Sequence, residues 1–442
     1  MTRIRVARAF FVSALVGLFS LGMSRAATAD EVFEWNVTGF EASAAGGQNA
    51  LVVSRTMTMV HLAVHDALNA IDRRYEPYVY EGRAERGAAP TAAIATAARD
   101  VLVGVIPDWG NPQQREKARS IVDSAYAGAI AKVPDGLPKD QGIAAGKAAA
   151  AATLAVRKAD GSGASSQYIP GTAPGQWRPH SNPTPPNPPI ADPALAAGNW
   201  PALLPQWAQV IPFTMVTPWQ FRLPGPPTLA SVDYARDYEE VKRVGAKNST
   251  TRTAEQSEIA RYWYEGSPQG WSRIAIVVAA ARGLDRWENA RLLALVNMVI
   301  ADGFIAGADT RYLYNFWRPV TAIRAGDTDG NDATAADPAW ETFLNTPPLP
   351  DYPSTHSVAG GAASAVLARF FGSDQIAFAM KSGPPFAGIT RSFTTFSQAA
   401  QENADSRVYA GVHFRSACQD GIKLGEQIGR RAFAQHLQAY RK

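Results

Sequence analysis

Three short stretches in the last third of this 442-residue chain combine residue types that could carry out chemistry. They are 311–319, 353–356 and 406–413, which read RYLYNFWRP, PSTH and SRVYAGVH. Their arginines, histidines and serines are Arg311, Arg318, Arg407, His356, His413, Ser354 and Ser406. Guanidinium groups offer planar forks of N–H donors and a permanent charge, which suits a tetrahedral oxyanion such as phosphate or its isostere vanadate. Because one imidazole can bond to the central atom while another transfers a proton, the pattern predicts an oxyanion pocket with two working histidines.

The three stretches resemble a three-part signature, K-x6-RP, PSGH and SR-x5-H-x3-D. The vanadium-dependent haloperoxidases share it with the type 2 phosphatidic-acid phosphatases and the bacterial acid phosphatases. Arg311 stands seven residues before Arg318, and five residues separate Arg407 from His413, as in the signature. Residues 35–71 also resemble the amino-terminal helices of the bacterial haloperoxidase branch. Three ordered matches are much more specific than one short motif.

Three positions differ from the family's pattern. Arg311 replaces the usual lysine, which keeps the charge but changes how a bound oxygen would be polarised. Thr355 replaces the glycine of PSGH; it keeps the backbone N–H, and its side chain narrows the pocket. Ala417 replaces the aspartate that orients the nucleophilic histidine in the phosphatases. We expect no acid nearby in the sequence to take its place, since Asp420 lies too far along a helix from His413.

The resemblance implies a vanadate-dependent haloperoxidase, in which hydrogen peroxide oxidises a halide to hypohalous acid. In that family the vanadium of vanadate is bonded to one histidine, which corresponds here to His413. The second histidine, His356, would be the acid–base group that helps peroxide replace a vanadate oxygen. The groups that would neutralise or hydrogen-bond the remaining oxygens are Arg311, Arg318, Ser354, Thr355 (through its backbone N–H) and Arg407.

Two other functions use the same residues. In a periplasmic acid phosphatase that hydrolyses a small phosphate ester, His413 would be the nucleophile and would form a phosphohistidine, while His356 would protonate the leaving alcohol. Ala417 argues against this reading. The third function is a non-catalytic oxyanion-binding protein, which the substitutions at Arg311, Thr355 and Ala417 would explain.

The first motif follows a long apolar run. We predict a long, buried helix that begins near Arg286, because residues 292–300 are nearly all apolar. We consider the case in which this helix continues to Trp317. Such a helix would place Arg311 and Arg318 two turns apart on one face. Pro319 would then end or kink the helix.

The other two motifs are predicted at helix ends. Ser354 or Thr355 would cap a helix, and His356 would lie in its first turn, where free backbone N–H groups favour an anion. Arg407 and His413 would point about 240° apart on a continuous helix. We therefore predict that the chain breaks at a glycine between them, so that Arg407 ends one helix and His413 begins the next.

Helical periodicity over most of the chain predicts an all-α fold with a Pro/Trp-rich irregular segment. The resemblance implies helical bundles of the vanadium haloperoxidase and acid phosphatase type. We expect one domain over residues 30–442, with active-site helices in 286–431 and a Pro-rich insertion in 161–230. Sixteen of the 31 prolines fall between Pro170 and Pro227. Since tryptophan and phenylalanine are interleaved with them, and disordered linkers are poor in aromatic residues, the insertion is predicted to be ordered. It would clad the helices or line the entrance to the site.

Residues 1–29 have the composition of a secretory signal peptide: a basic start, an apolar run and a small-residue Ala-Thr-Ala site. We therefore expect export to the periplasm or the cell exterior. The formal charge of +4 comes from four arginines in this segment, so the remaining chain is neutral and no nucleic-acid partner is implied. No membrane span is expected after the leader, and the assembly is left open between a monomer and a homodimer.

Two further patterns resemble ligand sites. His61 and His65 stand one turn apart on a predicted helix, but the sequence around them lacks the metalloprotease glutamate, so they are interpreted as packed core histidines. Asp327 and Asp329 resemble the start of a calcium loop that lacks its glycine and glutamate. Cys418, the only cysteine, is expected to be a buried packing residue.

Overall fold

A computed structural model of the chain describes residues 30–190, 197–198 and 201–440. The predicted leader, residues 1–29, lies outside the described residues. Over the described part the protein has thirteen α-helices, a few 3-10 turns and one two-stranded antiparallel sheet. The predicted all-α class is therefore confirmed.

Five helices form the amino-terminal half of the structure. They are α1 (Glu31–Ala45), α2 (Ala50–Ile71), α3 (Pro90–Val105), α4 (Pro112–Ala131) and α5 (Leu137–Arg157). Helix α2 lies almost wholly inside the bundle. Its two histidines are buried, with His61 Nε2 3.0 Å from Asn36 Oδ1 and His65 Nε2 3.1 Å from the Glu76 carbonyl oxygen. They are packed core residues, as predicted.

The Pro-rich insertion is irregular but anchored to the helices around it. Trp177, Trp207 and Phe213 are buried. The buried carboxylate of Asp302 accepts hydrogen bonds of 2.6 Å from the backbone N–H groups of Phe213 and Thr214. These contacts replace the hydrogen bonds that regular secondary structure would supply. The predicted ordered segment is present in the residues described.

Eight helices and the sheet follow the insertion. The helices are α6 (Val232–Val244), α7 (Ala254–Tyr262), α8 (Ser267–Arg282), α9 (Arg286–Tyr314), α10 (Pro319–Arg324), α11 (Thr355–Phe370), α12 (Phe396–Tyr409) and α13 (Arg415–Gln435). The strands are β1 (Phe378–Lys381) and β2 (Thr390–Phe393), paired with Phe378 opposite Phe393.

Helix α9 is the central helix of the molecule. It begins with a capping box in which Asp285 and Glu288 exchange side-chain and backbone hydrogen bonds. Over the part of the chain that the structure describes, α9 alone is long and apolar enough to cross a membrane, but 94% of its apolar window is buried inside the protein. It is the core helix against which α2 and α11 pack.

This helix does not continue to Trp317. Helix α9 ends at Tyr314, and Asn315 takes a left-handed conformation with φ of 50°. Phe316 then pairs with Gln176 of the insertion in an isolated β-bridge. Pro319 begins α10 instead of ending α9, because its fixed φ and missing N–H suit the first position of a helix. Backbone pairing with the insertion thus replaces the helical conformation in the middle of the first motif.

Helices α11 and α13 pack unusually closely beneath the site. A Cβ at Gly425 of α13 would lie 2.0 Å from the carbonyl oxygen of Val358 in α11. Helix α11 also has small residues, GGAASA in sequence, which allow the two helices to approach each other. Cys418 of α13 is buried in this region, as expected.

The calcium-like stretch forms a compact turn. The carboxylate of Asp329 accepts hydrogen bonds of 2.8 Å from the Thr334 hydroxyl and 2.9 Å from the Asn331 backbone N–H. These contacts hold the loop between α10 and the residues that lead to α11.

Candidate active site

The two arginines of the first motif lie in different elements and are hydrogen-bonded to the other two motifs. Arg311 is in the last turn of α9, and its Nε and Nη2 donate to the Pro353 carbonyl oxygen at 3.0 and 2.6 Å. Arg318 caps α10 and donates to the carbonyl oxygens of Leu349 and Val412, each at 2.7 Å. Both side chains are buried. They therefore share one site although they do not share a helix face.

The second motif begins α11, as predicted. Ser354 is the N-cap, and its hydroxyl oxygen accepts a hydrogen bond from a backbone N–H of the first turn at 3.4 Å. Thr355 Oγ1 accepts a hydrogen bond from Arg311 Nη2 at 3.3 Å. His356 Nε2 lies 3.2 Å from the Glu265 carbonyl oxygen. Since a carbonyl can only accept, Nε2 carries the proton and Nδ1 has a free lone pair.

The third motif spans the break between two helices. Arg407 lies in the last turn of α12, which confirms the prediction that it ends a helix. Gly411 turns the chain with φ of 81°, and a Cβ there would lie 2.3 Å from the carbonyl oxygen of Gly245. His413 lies just before α13 instead of starting it, because Phe414 occupies the N-cap position. Both functional side chains are buried.

His413 contacts a cation through one ring nitrogen and an acid through the other. Its Nε2 lies 2.8 Å from Arg318 Nη1. The same Nη1 lies 3.3 Å from Nδ1, so the guanidinium group lies against the ring, nearer to Nε2. Because a guanidinium group has no acceptor, this placement favours a lone pair on Nε2 and a proton on Nδ1. Nδ1 lies 2.9 Å from Oδ1 of Asp351, a fully buried residue. The same carboxylate oxygen lies 3.7 Å from Arg318 Nη1.

Asp351 is a site residue that the sequence analysis missed. Among the described residues, the carboxylate that contacts the His413 ring comes from another segment and not from the sequence around His413. Ala417 lies in the first turn of α13, and its carbonyl oxygen accepts a hydrogen bond from the Ser354 backbone N–H at 3.0 Å. Asp351 reaches His413 from the segment before α11, far away in the sequence. Asp351 stands just before PSTH in the sequence, but no motif spacing relates that position to the third motif. Asp420 bonds elsewhere, accepting from a tyrosine hydroxyl at 2.8 Å.

His180, from the Pro-rich insertion, is a second missed residue. It is buried, and burial followed by the positive charge of Arg318 lowers its pKa to about 4. The residue after it, Ser181, accepts a hydrogen bond of 2.7 Å from Arg324 at the end of α10. The insertion therefore borders the site. A lone histidine among prolines carries no sequence signal for this placement.

The side chains of the site act strongly on one another's ionisation. Burial, and then the charge of Arg318, lowers the pKa of Arg311 well below its ordinary value. Burial lowers the pKa of Arg318 to about 10, although Asp351 opposes this. Burial followed by the three arginines lowers the pKa of His413, so that its imidazole is neutral. Burial raises the pKa of Asp351 to about 7, against the influence of Arg318 and Arg311. Three buried cations with one contacting carboxylate leave an excess of positive charge that favours a bound anion.

Several donors of the site have no protein partner. Among the described residues, Nη2 of Arg318 and both Nε and Nη1 of Arg407 are buried without a hydrogen-bond acceptor. A buried donor without a partner costs about 1–3 kcal/mol. An oxyanion with several acceptor oxygens would satisfy these groups, so the residues present fit vanadate or phosphate. The residues that could hold such an anion are Arg311, Arg318, Ser354, Thr355, Arg407 and His413.

Comparisons with known proteins show similarity to the vanadium haloperoxidases. Residues 291–442 match the family model of the VCPO second helical-bundle domain, which includes all three motifs. The vanadium chloroperoxidase of Curvularia inaequalis is 26% identical over 457 residues, which cover 82% of this chain and 74% of that protein.

Solved structures share the fold over most of the chain. The first bacterial vanadium-dependent iodoperoxidase superposes with a TM-score of 0.77 at 24% identity, covering 93% of this chain and 98% of that one. The holo-type bacterial vanadium-dependent chloroperoxidase superposes with a TM-score of 0.68 at 20% identity, over 87% of this chain and 91% of that one.

The fold and the site together define an all-α protein with a buried cluster of cationic side chains. The chain has the helical-bundle fold of the vanadium haloperoxidases, and the resemblance seen in its three motifs is confirmed.

Proposed function

We propose that this protein is a vanadate-dependent haloperoxidase. The observation that carries the proposal is the convergence of three buried arginines and two neutral histidines on one site, with unpartnered guanidinium donors. The relatives named as a vanadium chloroperoxidase and a vanadium-dependent iodoperoxidase support the same reaction class. The apolar and basic residues 1–29 support a further proposal, export from the cytoplasm.

The arginines would bind the oxyanion and keep it in place. Arg407 would use its free Nε and Nη1, and Arg318 its free Nη2. Arg311 supplies charge while its own fork is held by the Pro353 carbonyl. The hydroxyl of Ser354 and the backbone N–H groups at the start of α11 would complete the donor set. Such preorganised donors stabilise negative charge without reorganising during the reaction.

His413 is prepared to bond to the central atom. The Asp351 carboxylate, 2.9 Å from Nδ1, favours a proton on that nitrogen, which would leave the lone pair of Nε2 for the central atom. Bound vanadate would supply peroxide activation and halide oxidation, which no side chain of the protein can perform alone. The chain contributes the bond from Nε2, the positive charge and the exclusion of water from a buried site.

His356 would act first as a base. Its Nε2–H donates to the Glu265 carbonyl, so its Nδ1 is the available proton acceptor. Burial, and then the charge of Arg407, lowers its pKa well below the ordinary value, which keeps the ring neutral. A neutral imidazole beside the anion can take a proton from incoming hydrogen peroxide and later return it to a leaving oxygen.

An acid phosphatase is the second candidate, and the contact between Asp351 and His413 favours it. In such an enzyme Nε2 of His413 would attack phosphorus as the ester bond breaks, and Asp351 would stabilise the imidazolium that forms. His356 would have to donate a proton to the leaving alcohol. Since burial lowers the pKa of His356, this step is expected to need acidic pH.

Two assays on one purified sample distinguish these functions. One portion is loaded with orthovanadate and given hydrogen peroxide with iodide, bromide or chloride, and halogenation of a phenolic acceptor is followed. The other portion is kept free of vanadate and given an aryl phosphate between pH 5 and 7. We expect halogenation that depends on vanadate. Phosphate release without halogenation would move the protein to the phosphatase class. Tight vanadate binding without either activity would identify a non-catalytic oxyanion-binding protein.

A further inference from the structure

We propose that Asp351 is the positioning residue of His413, and that it replaces from another segment the carboxylate that related phosphatases carry at the position of Ala417. The inference deepens the proposed function and rests on it for the role of His413. Asp351 does not need to touch the bound oxyanion. Its part is to hold the imidazole in one orientation and one tautomer.

The contacts of His413 favour one tautomer. Arg318 Nη1 is 2.8 Å from Nε2, and a guanidinium group can only donate. The carboxylate of Asp351 is 2.9 Å from Nδ1 and can only accept when ionised. The same Nη1 is 3.3 Å from Nδ1, and Asp351 Oδ1 contacts Nδ1 as an ion-pair partner without hydrogen-bond geometry. A carboxylate beside Nδ1 and a guanidinium group nearer Nε2 together favour a proton on Nδ1 and a lone pair on Nε2. A histidine that ligates or attacks through Nε2 needs this arrangement, and a partner at the other nitrogen usually provides it.

Asp351 is itself held firmly by the other motifs. Its backbone N–H donates to the Phe316 carbonyl oxygen at 2.8 Å, next to the first motif. Two residues earlier, the Leu349 carbonyl oxygen accepts from Arg318 Nε at 2.7 Å. Ser354, the N-cap of α11, donates its backbone N–H to the carbonyl oxygen of Ala417. A carboxylate on this segment is fixed relative to both Arg318 and α13.

The hydrogen bond from Ser354 to Ala417 holds the segment of Asp351 beside the first turn of α13. We infer that either position, 351 or 417, can supply the acid for His413. Ala417 lies in the first turn of α13, four residues past His413, and is buried. In the described residues no other carboxylate forms an ion pair with His413. The chain has lost an acid on one side of the histidine and contains one on a neighbouring segment. We infer that the two changes compensate each other.

The test compares two anions that depend differently on His413. Orthovanadate bonds to the histidine in the related family, whereas inorganic phosphate in a resting site needs only the arginines and N–H donors. Their dissociation constants are measured by titration calorimetry at pH 8, without peroxide or halide. For Asp351→Asn we expect vanadate to bind about tenfold or more weakly while phosphate binding is unchanged or tighter. The reason is that removing the partner of a ligating histidine costs about 10–100-fold in affinity.

Two further variants separate positioning from charge balance. The double variant Asp351→Ala with Ala417→Asp should regain most of the vanadate affinity that Asp351→Ala loses. Asp237→Asn removes another buried carboxylate, which accepts from the Ser416 backbone N–H at 2.7 Å and does not contact His413. It should change vanadate and phosphate affinity by the same factor.

A direct readout of the tautomer completes the experiment. The protein has six histidines, so 15N-histidine labelling with a His413→Gln variant for assignment resolves the ring nitrogens of His413. We expect a protonated Nδ1 in the wild type and a mixture of tautomers in Asp351→Ala. Equal losses for both anions in Asp351→Asn, or an unchanged tautomer in Asp351→Ala, would overturn the proposal. Because no turnover is measured, a lack of halogenation by the wild type would contradict the proposed function alone.

Discussion

Arg407 has fewer protein partners than the other two arginines of the site. Arg311 and Arg318 each donate to backbone carbonyls, whereas Nε and Nη1 of Arg407 are buried without an acceptor in the described structure. Its guanidinium carbon lies 5.6 Å from the ring centre of Tyr264. A ring face holds the group in position but leaves its N–H donors free for an anion. Arg407 is therefore the arginine whose geometry is most clearly reserved for a ligand.

Replacing Arg407 with lysine should weaken oxyanion binding although the charge is kept. A lysine cannot present the two free fork donors, and each charge-assisted hydrogen bond is worth about 1.5–3 kcal/mol. We expect the dissociation constants of vanadate and phosphate to rise at least tenfold in calorimetric titrations. The control is Arg391→Lys, since Arg391 is saturated by Glu255, Glu258 and Glu402 on the surface. Similar affinities in both variants would contradict this role of Arg407.

His356 should affect turnover more than binding. Its free Nδ1 is placed to take a proton, but its other nitrogen is held by the Glu265 carbonyl and not by the anion-binding arginines. For His356→Ala we expect kcat for halogenation to fall by about 10²–10⁴-fold, the usual contribution of a general base. Vanadate affinity should change less than tenfold. His436→Gln, which alters a histidine near the Thr214 carbonyl, should leave both quantities unchanged.

At the scale of elements, the site depends on how closely α11 and α13 approach each other. Helix α11 carries Ser354, Thr355 and His356 at its start, and α13 follows directly after His413. The backbones are close enough that Gly425 leaves no room for a side chain beside Val358. A change in this spacing would move the second motif relative to the third. Small residues deep in the helix pair therefore contribute to the geometry of the anion site.

The variant Gly425→Ala should destabilise the protein in spite of the better helix propensity of alanine. Its Cβ would lie 2.0 Å from the Val358 carbonyl oxygen, and overpacking of this kind typically costs about 1–3 kcal/mol. We expect a lower Tm in circular dichroism and weaker phosphate binding. Gly128→Ala is the matched control: it lies on an exposed face of α4 with nothing within 4 Å, so the substitution should be neutral or raise stability by up to ~1 kcal/mol. A lower Tm in both variants would show that packing against α11 is not the cause.

At the scale of the whole molecule, the uncompensated charge of the site should couple folding to anion binding. The unfolded chain has no such cluster, so an anion binds only the folded state. Binding at 100 times the dissociation constant adds about 2.7 kcal/mol to the free energy of unfolding. We expect vanadate and phosphate to raise Tm in proportion to the logarithm of their concentration. Sodium chloride at equal ionic strength should have little effect, and equal shifts with chloride would indicate screening instead of a specific site.

The buried histidines of α2 should make the protein sensitive to acid. Burial lowers the pKa of His61 to about 3, while an unfolded histidine titrates near 6.5. Below pH 6.5 the unfolded state therefore binds a proton that the folded state does not, and stability falls as pH falls. At pH 5 the cost is about 2 kcal/mol. In His61→Gln the loss of Tm between pH 7.5 and pH 5 should be smaller than in the wild type. Equal losses in both proteins would show that His61 is not a source of the acid sensitivity.

Much of the site was predictable because local spacing defines it. The helix cap at Ser354, the placement of His356 in the first turn and the end of a helix at Arg407 all follow from nearest neighbours in the sequence. The common helix face for Arg311 and Arg318 was not predictable in this way. Residues 315–317 were drawn out of the helix by backbone pairing with residues 175–177 of the insertion. Such pairing joins segments that are far apart in the chain, and local propensity contains no information about it.

The sequence by itself determined the class of fold, the inventory of cationic and acid–base groups, and the helix ends that carry them. Helical periodicity, capping residues and ordered motif spacing act over a few residues, so they can be recognised without coordinates. Only the tertiary structure decided which groups meet. It brought Asp351 to Nδ1 of His413 and His180 toward Arg318, and it left donors of Arg318 and Arg407 free of protein acceptors. The physical reason is that hydrogen bonding and charge act through space, so the partners of a side chain depend on packing between elements that the sequence separates.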